Sequence, residues 1–300
     1  MKKVFFAVYL LLFPLCAYAQ EDTSAEYFVE SVSIDPTLYN TQHIYMQDDP
    51  RLKNRVFFIN VSQLTSDTAT GVCRKKNSKN ITLGKWLATT FPAHMFHSSD
   101  NFPVRDPADF NVPYSKKTLV SSLGYNCDDR KEKKINRPVQ VTLPNKKLLL
   151  TWKGDGVLLI LRKIKPGEKI LPSFKCSQNN TETEKAICDS NVLGGWDRSM
   201  LEALQKAIRG TPEADNEVDH FQLSASQVND IINFQKKWLI ERNKCKDDKA
   251  CIAQQYNEQV DTMYDIALSG GYIPKPQTEE EKRQIEEDVL YFSKLTKKKK

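Results

Sequence analysis

The chain has 300 residues, 40% of them hydrophobic and 27% charged, with a formal net charge of +6. That balance supplies a proper core and excludes a disordered, fibrous or wholly membrane-embedded chain. The charge is unevenly spread: residues 20–172 carry 23 Lys/Arg against 16 Asp/Glu, residues 173–269 carry 11 against 16, and residues 270–300 carry 8 against 6. A basic N-terminal part is therefore joined to an acidic module and a lysine-ended tail.

The first residues read MKKVFFAVYLLLFPLCAYAQ. Lys2 and Lys3 precede an apolar run and the small-x-small site Ala17-Tyr18-Ala19, so residues 1–19 read as a secretory signal peptide. The run is short for a bilayer span. Cys16 follows Leu15 rather than the small residue a lipoprotein signal uses, which argues against lipidation. No later stretch is apolar enough to span a membrane, so a periplasmic or secreted protein without a transmembrane segment is expected. Without Cys16, six cysteines remain: Cys73, Cys127, Cys176, Cys188, Cys245 and Cys251. An even count in an exported chain reads as disulfides. No C-x-x-C occurs and the gaps fit no zinc site, so no metal is expected.

Residues 20–172 have strand character. RVFFINVSQL (55–64), NRPVQVTL (136–143), KKLLLTW (146–152) and GVLLILRKI (156–164) are rich in Val, Ile, Phe and Leu. Leu143-Pro144-Asn145-Lys146 and Lys153-Gly154-Asp155-Gly156 each read as a hairpin turn. LGKWLATTF (83–91) reads as a short helix, and the proline-rich stretch 91–113 as loop. Cys73 and Cys127, alone in this part, are expected to pair.

Several of these residues invite a chemical reading. His94-x-x-His97, with His43 or Asp100, has the residue types of a metal or hydrolase site. The flanking Pro92 and Pro103 disfavour the helical turn such a site needs, and a surface or packing role is the plainer reading. Asp155 reads as a turn residue. The run Asp128-Asp129-Arg130-Lys131-Glu132-Lys133-Lys134 reads as a solvated loop or a basic contact for an anionic surface. Asn60-Val61-Ser62 and Asn80-Ile81-Thr82 match the N-x-Ser/Thr sequon, which carries little weight if the host is bacterial. No nucleophile-elbow, zincin, P-loop or dinucleotide fingerprint is present. The protein is not expected to be an enzyme, and no cofactor is expected.

Helical periodicity begins near residue 173. Thr181-x-x-Glu184 is a capping box opening a short helix. Leu193, Trp196, Met200, Leu204 and Ala207 lie on one face of the next helix, which Gly210-Thr211-Pro212 ends. An acidic stretch follows with Glu213, Asp215, Glu217 and Asp219. Ser224 or Ser226 caps a helix with Val228, Ile231, Gln235, Trp238 and Arg242 on one face. Cys245 and Cys251 enclose a charged turn containing Asp247 and Asp248. A further helix carries Ile252, Tyr256, Val260 and Met263. This spacing reads as a bundle core.

The pattern Phe174-x-Cys176, Glu184-Lys185-Ala186-Ile187-Cys188, Leu193-x-x-x-Asp197, Gln235-x-x-Trp238-x-x-x-Arg242-x-x-Cys245, Cys251 and Tyr256 resembles the LprI-type lysozyme-inhibitor domain over about residues 173–268. That resemblance implies a small helical module of an exported bacterial protein. Gly194-Gly195-Trp196 departs from it; two glycines weaken a helix by roughly 1 kcal/mol each, which predicts a later start or a bend. Asp197 and Arg242 are placed to form a partly buried bidentate ion pair with a structural role. Among the four C-terminal cysteines, local pairs (176–188 and 245–251) fit the polar turns they enclose, and nested pairs (188–245 and 176–251) fit an antiparallel hairpin. The reading leans to the local pairs, with a helix break after Cys245 to bring Cys251 within reach.

From residue 270 a Gly/Pro linker leads to the helical pattern 279–295 and to Lys297–Lys300. The four lysines read as a solvated terminus, and no nucleic-acid partner is expected.

The whole is expected to be α+β: a β-rich domain (20–172), a disulfide-stapled helical module (173–269), and a linker with a charged tail helix (270–300). Two functions follow. One is a binding protein that inhibits a cationic, lysozyme-like muramidase through the acidic module, with Glu213, Asp215, Glu217, Asp219, Asp247 and Asp248 as contacts and Asp197, Trp238 and Arg242 structural. The other is an envelope scaffold whose basic N-terminal domain binds an acidic partner.

Overall fold

The structure is a computed structural model. It describes residues 24–35, 45–60, 62–66, 73–91, 106–127, 139–151, 156–209 and 223–273. The expected signal peptide (1–19), His43, His94, His97, Asp100, the run 128–134, Asp155, the acidic residues 213–219 and the tail pattern 279–295 all lie outside the described residues.

Eight antiparallel strands form a closed up-and-down barrel, each strand beside its sequence neighbour: β1 (Ala25–Ile34), β2 (Val56–Ile59), β3 (Gln63–Ser66), β4 (Cys73–Thr82), β5 (Leu119–Cys127), β6 (Val139–Thr142), β7 (Leu148–Thr151) and β8 (Val157–Lys163). β1 closes the barrel on β8, from Tyr27 opposite Lys163 to Ile34 opposite Val157. A bulge between Val29 and Ser31 supplies the bend that closure needs. The β3–β4 pairing is the shortest, at Arg74 and Cys73 only, so the rest of β4 is held by β5.

The expected β-rich domain is thus a barrel. The expected strand 55–64 is corrected: Asn60 breaks it, and its side chain accepts the Ser62 and Gln63 amides at 2.9 and 2.6 Å. This turn makes β2 and β3 a hairpin. The turn at 143–146 is present, with Lys146 N–H donating to the Leu143 carbonyl and Lys146 in the left-handed region. β7 and β8 pair antiparallel on either side of residues 152–155.

Alternation sorts the side chains. Val29, Val32, Phe57, Ile59, Leu64, Cys73, Tyr125, Leu148, Leu150, Val157, Leu159 and Leu161 form one buried cluster drawn from seven strands. The eighth, β6, joins it through Gln140, whose Oε1 accepts the Tyr125 hydroxyl at 2.6 Å. This cluster is the barrel interior. The alternate residues Val141, Leu149, Leu158 and Ile160 face outward, under α1 (Leu83–Thr90) and a 3-10 turn at Pro107–Phe110. Strands β7 and β8 are therefore buried on both faces, which is why they read as continuous apolar runs.

The helical module comprises α2 (Glu182–Cys188), α3 (Asn191–Arg209), α4 (Ala225–Asn243) and α5 (Lys249–Leu268). Thr181 with Glu184 caps α2 and Ser224 with Gln227 caps α4, each a reciprocal capping box. α3 packs chiefly on α5. The core is Ile187, Leu193, Trp196, Met200, Ala203, Ile231, Trp238, Ile252, Tyr256, Val260 and Met263. Leu204 lies only partly in it.

The local disulfides form. Cys176 bonds Cys188 and Cys245 bonds Cys251, with Cα atoms 6.0 and 5.6 Å apart. The turn between α4 and α5, with Lys246 in the left-handed region, brings the second pair together. Cys73 is also in a disulfide, and its Cα partner across the β4–β5 ladder is Cys127. Among the described residues no helix is long and apolar enough to cross a membrane.

Candidate functional site: a closed polar network and the seam to the barrel

One group of the module's buried polar residues converges on Asp197. Its Oδ2 accepts the backbone N–H and the hydroxyl of Ser173 at 2.6 and 2.5 Å. Its Oδ1 accepts the Tyr256 hydroxyl at 2.8 Å. That same hydroxyl accepts Arg242 Nη1 at 2.9 Å. Arg242 spends Nε and Nη2 on Asn243 Oδ1, at 3.2 and 2.8 Å. The expected direct Asp197–Arg242 pair is corrected: Tyr256, on α5, stands between them and links α3 to the end of α4. A buried tyrosine needs a partner for its hydroxyl, and here it has two of opposite charge.

Trp238 packs on the Tyr256 ring with centroids 5.3 Å apart, and the Arg242 guanidinium lies 5.6 and 5.7 Å from the two rings. Burial, and then the Asp197 carboxylate, push the Tyr256 hydroxyl well above its ordinary pKa. Such a phenol holds its proton and is a poor base. Every strong donor and acceptor in the cluster has a partner, and the group supplies no nucleophile. Its product is the mutual placement of three helices.

The remaining expected site residues separate. Asp248 is the N-cap of α5 and accepts the Ala250 and Cys251 amides at 3.0 and 3.1 Å. The contacts it makes within the chain are those of a helix cap. Asp247 is exposed beside it. Among the described residues no group of three or more His, Cys, Asp or Glu is placed to hold a metal ion.

The largest departure from the sequence reading lies at the seam between module and barrel. α3 does not start late at Gly194-Gly195; it starts at Asn191 and runs through both. A Cβ on Gly194 would collide with the Ile170 carbonyl, and one on Gly195 with the Asn54 carbonyl. The glycines let the helix lie against the barrel's backbone. Trp196 follows, buried, with the Arg55 guanidinium directly over its ring at 2.9 Å from the centroid. Ser199 donates to the Lys53 carbonyl at 2.8 Å, and Asn54 Nδ2 donates to Glu202 at 3.1 Å.

From α5, the Tyr264 ring lies 3.6 Å from the guanidinium carbon of Arg51. Arg51 is held in turn by a two-pronged bond to the buried Asp49, at 3.0 and 2.7 Å. Sequence reasoning named none of Arg51, Arg55, Asn54 or Tyr264. The adjacent glycines before a tryptophan were the available signal, since glycine inside a helix marks close backbone approach.

The chain matches no protein-family model, and neither the curated proteins nor the solved structures contain a match to it.

Proposed function

We propose that this is a non-enzymatic binding protein of the bacterial envelope whose helical module engages a cationic protein of the lysozyme or muramidase type. One observation carries the reading: Asp197, Tyr256 and Arg242 are buried and satisfied by one another and by Ser173 and Asn243. The module's polar core is consumed by its own architecture, which leaves its surface for function. The described residues 173–209 and 223–269 hold 11 Lys/Arg and 12 Asp/Glu, so most of the module's net negative charge comes from Glu213, Asp215, Glu217 and Asp219, which lie in sequence between α3 and α4. Negative charge concentrated between two fixed helices steers a cationic partner. The resemblance to the LprI-type pattern supports a muramidase as that partner.

The test is inhibition of a cationic lysozyme by the mature protein at several salt concentrations. Inhibition at micromolar protein, weakening with salt and lost when all four acidic residues become amides, is expected. No inhibition at micromolar protein sinks the proposal.

A second reading, an envelope scaffold whose basic barrel holds an acidic partner, is favoured by a specific observation: β3, β4 and β5 contain no acidic residue and include Arg74, Lys75, Lys76 and Lys79.

A further inference from the structure

The polar strand β4 is the part of the barrel that its core least explains. Of its ten residues, CRKKNSKNIT, only Cys73 and Ile81 belong to a buried cluster. Leu64, Cys73 and Tyr125 face the interior. Gln63 pairs with Arg74 and Arg74 with Asn126, so these three face outward together. The Lys76 side chain lies nearest the outward-facing Gly124. After the ladder irregularity between Lys75 and Ser78, Lys79 pairs with Ser122, on the same outward face as the clustered Val120. Arg74, Lys76 and Lys79 thus form one outward column, all exposed. Their outward neighbours Gln63, Thr65, Ser122, Gly124 and Asn126 are neutral and small or polar.

Several other cations of the barrel are paired with carboxylates. Lys147 pairs with Glu30, and Arg162 with Glu30 and Glu168. Lys116 pairs with Asp106, and Lys53 with Asp48 and Glu202. Among the described residues, Lys76 and Lys79 have no such partner, because the three strands around them supply no carboxylate.

We propose that this outward face of β3–β5 docks the protein on an anionic lipid surface, with the ammonium groups of Lys76 and Lys79 meeting headgroup phosphates. The inference deepens the scaffold reading and is independent of the lysozyme one. A ladder face is extended rather than grooved, and its cations stand in a row of roughly 10 Å between Lys76 and Lys79 at the strand rise. That shape suits a plane of phosphates better than a single threaded chain. Among the described residues the face offers no exposed aromatic ring on which nucleic-acid bases would stack. The attraction is a sum of small electrostatic terms, so it is screened by salt.

The test is co-sedimentation of the full mature chain with phosphatidylglycerol-containing vesicles and with pure phosphatidylcholine vesicles. Partitioning onto the anionic vesicles alone, lost at high salt, is expected. K76Q/K79Q weakens it roughly thirtyfold on the scale of one surface cation per site. The control K163Q/K165Q, which neutralises exposed lysines at the end of β8, leaves it unchanged. Thermal unfolding confirms that both variants fold. Equal partitioning by K76Q/K79Q, or none by the native chain, overturns the proposal. Retention on soluble polyphosphate without vesicle binding overturns the lipid occupant while leaving a basic scaffold standing.

Discussion

The barrel and the helical module solve the same problem with opposite means. The barrel's buried interior cluster is mostly apolar, with Ser66, Gln140 and the Tyr125 hydroxyl as polar members, and its strands are held in a closed hydrogen-bonded order. The module is built of one helix of 7 residues and three of 19, 19 and 20. It places an aspartate, a tyrosine and an arginine at its centre and adds two disulfides. A ladder dictates which strands are neighbours, whereas packed helices slide and rotate unless something directional pins them. The difference teaches that polar burial here sets geometry, with stability a by-product.

The two cores should therefore fail differently. Leu159→Ala removes an interior side chain of the barrel and is expected to cost about 2–5 kcal/mol, from lost transfer energy and the cavity left behind. Arg242→Ala leaves Asp197 with a buried charge short of its counter-ion and is expected to cost about 3–5 kcal/mol. Tyr256→Phe removes the bridge between the two and should approach the same figure. Urea unfolding followed by circular dichroism measures all three. If Tyr256→Phe were neutral, the bridge would not hold the helices.

The seam comes next. Gly195→Ala puts a methyl against the Asn54 carbonyl, and backbone cannot yield as a flexible side chain does. A loss of about 1–3 kcal/mol is expected, typical of overpacking. Limited proteolysis of the strap between β8 and α2 should accelerate with it. An unchanged cleavage rate would mean that module and barrel are not held by this contact.

The smallest effect is one of pH. Burial raises Tyr256 well above its ordinary value, and burial, aided by Tyr27, raises Tyr125 in the barrel. Each phenol then keeps its proton in the folded chain at a pH where the unfolded chain releases it. Stability from each is complete below about pH 10 and falls as pH rises further, by about 1.4 kcal/mol per pH unit per tyrosine while only the unfolded form titrates. Melting temperature measured from pH 8 to 11 should fall above pH 10. Tyr125→Phe should remove the barrel's share of that slope and leave the module's share in place.

Legibility followed the same division. In the module, periodicity and capping boxes placed all four helices, because local hydrogen bonds and a repeating apolar face are written in adjacent residues. The local disulfides were one of two arrangements the spacing allowed, and only the break after α4 decides between them. In the barrel, β7 and β8 announced themselves as apolar runs, and the turn at 143–146 was readable. β4 and β5 were not. Their outward positions are mostly Arg, Lys, Asn, Ser and Gly, and such strands exist because they pair with each other across more than thirty residues of sequence, a long-range fact. β1, with its alternation broken by a bulge, hid for a related reason.

What this chain determines locally is considerable: a basic half joined to an acidic one, helices with their caps, cysteine spacings that allow local pairs and an α+β class. The tertiary structure decided closure of the barrel, the tyrosine between Asp197 and Arg242, and the meaning of Gly194-Gly195. Each of these depends on an atom far away in sequence: Val157 beside Ile34, Tyr256 beside Asp197, and the Asn54 carbonyl beside Gly195. Propensity and pattern describe a residue's immediate neighbours, whereas closure, bridging and close approach are properties of surfaces that meet only when the chain has folded.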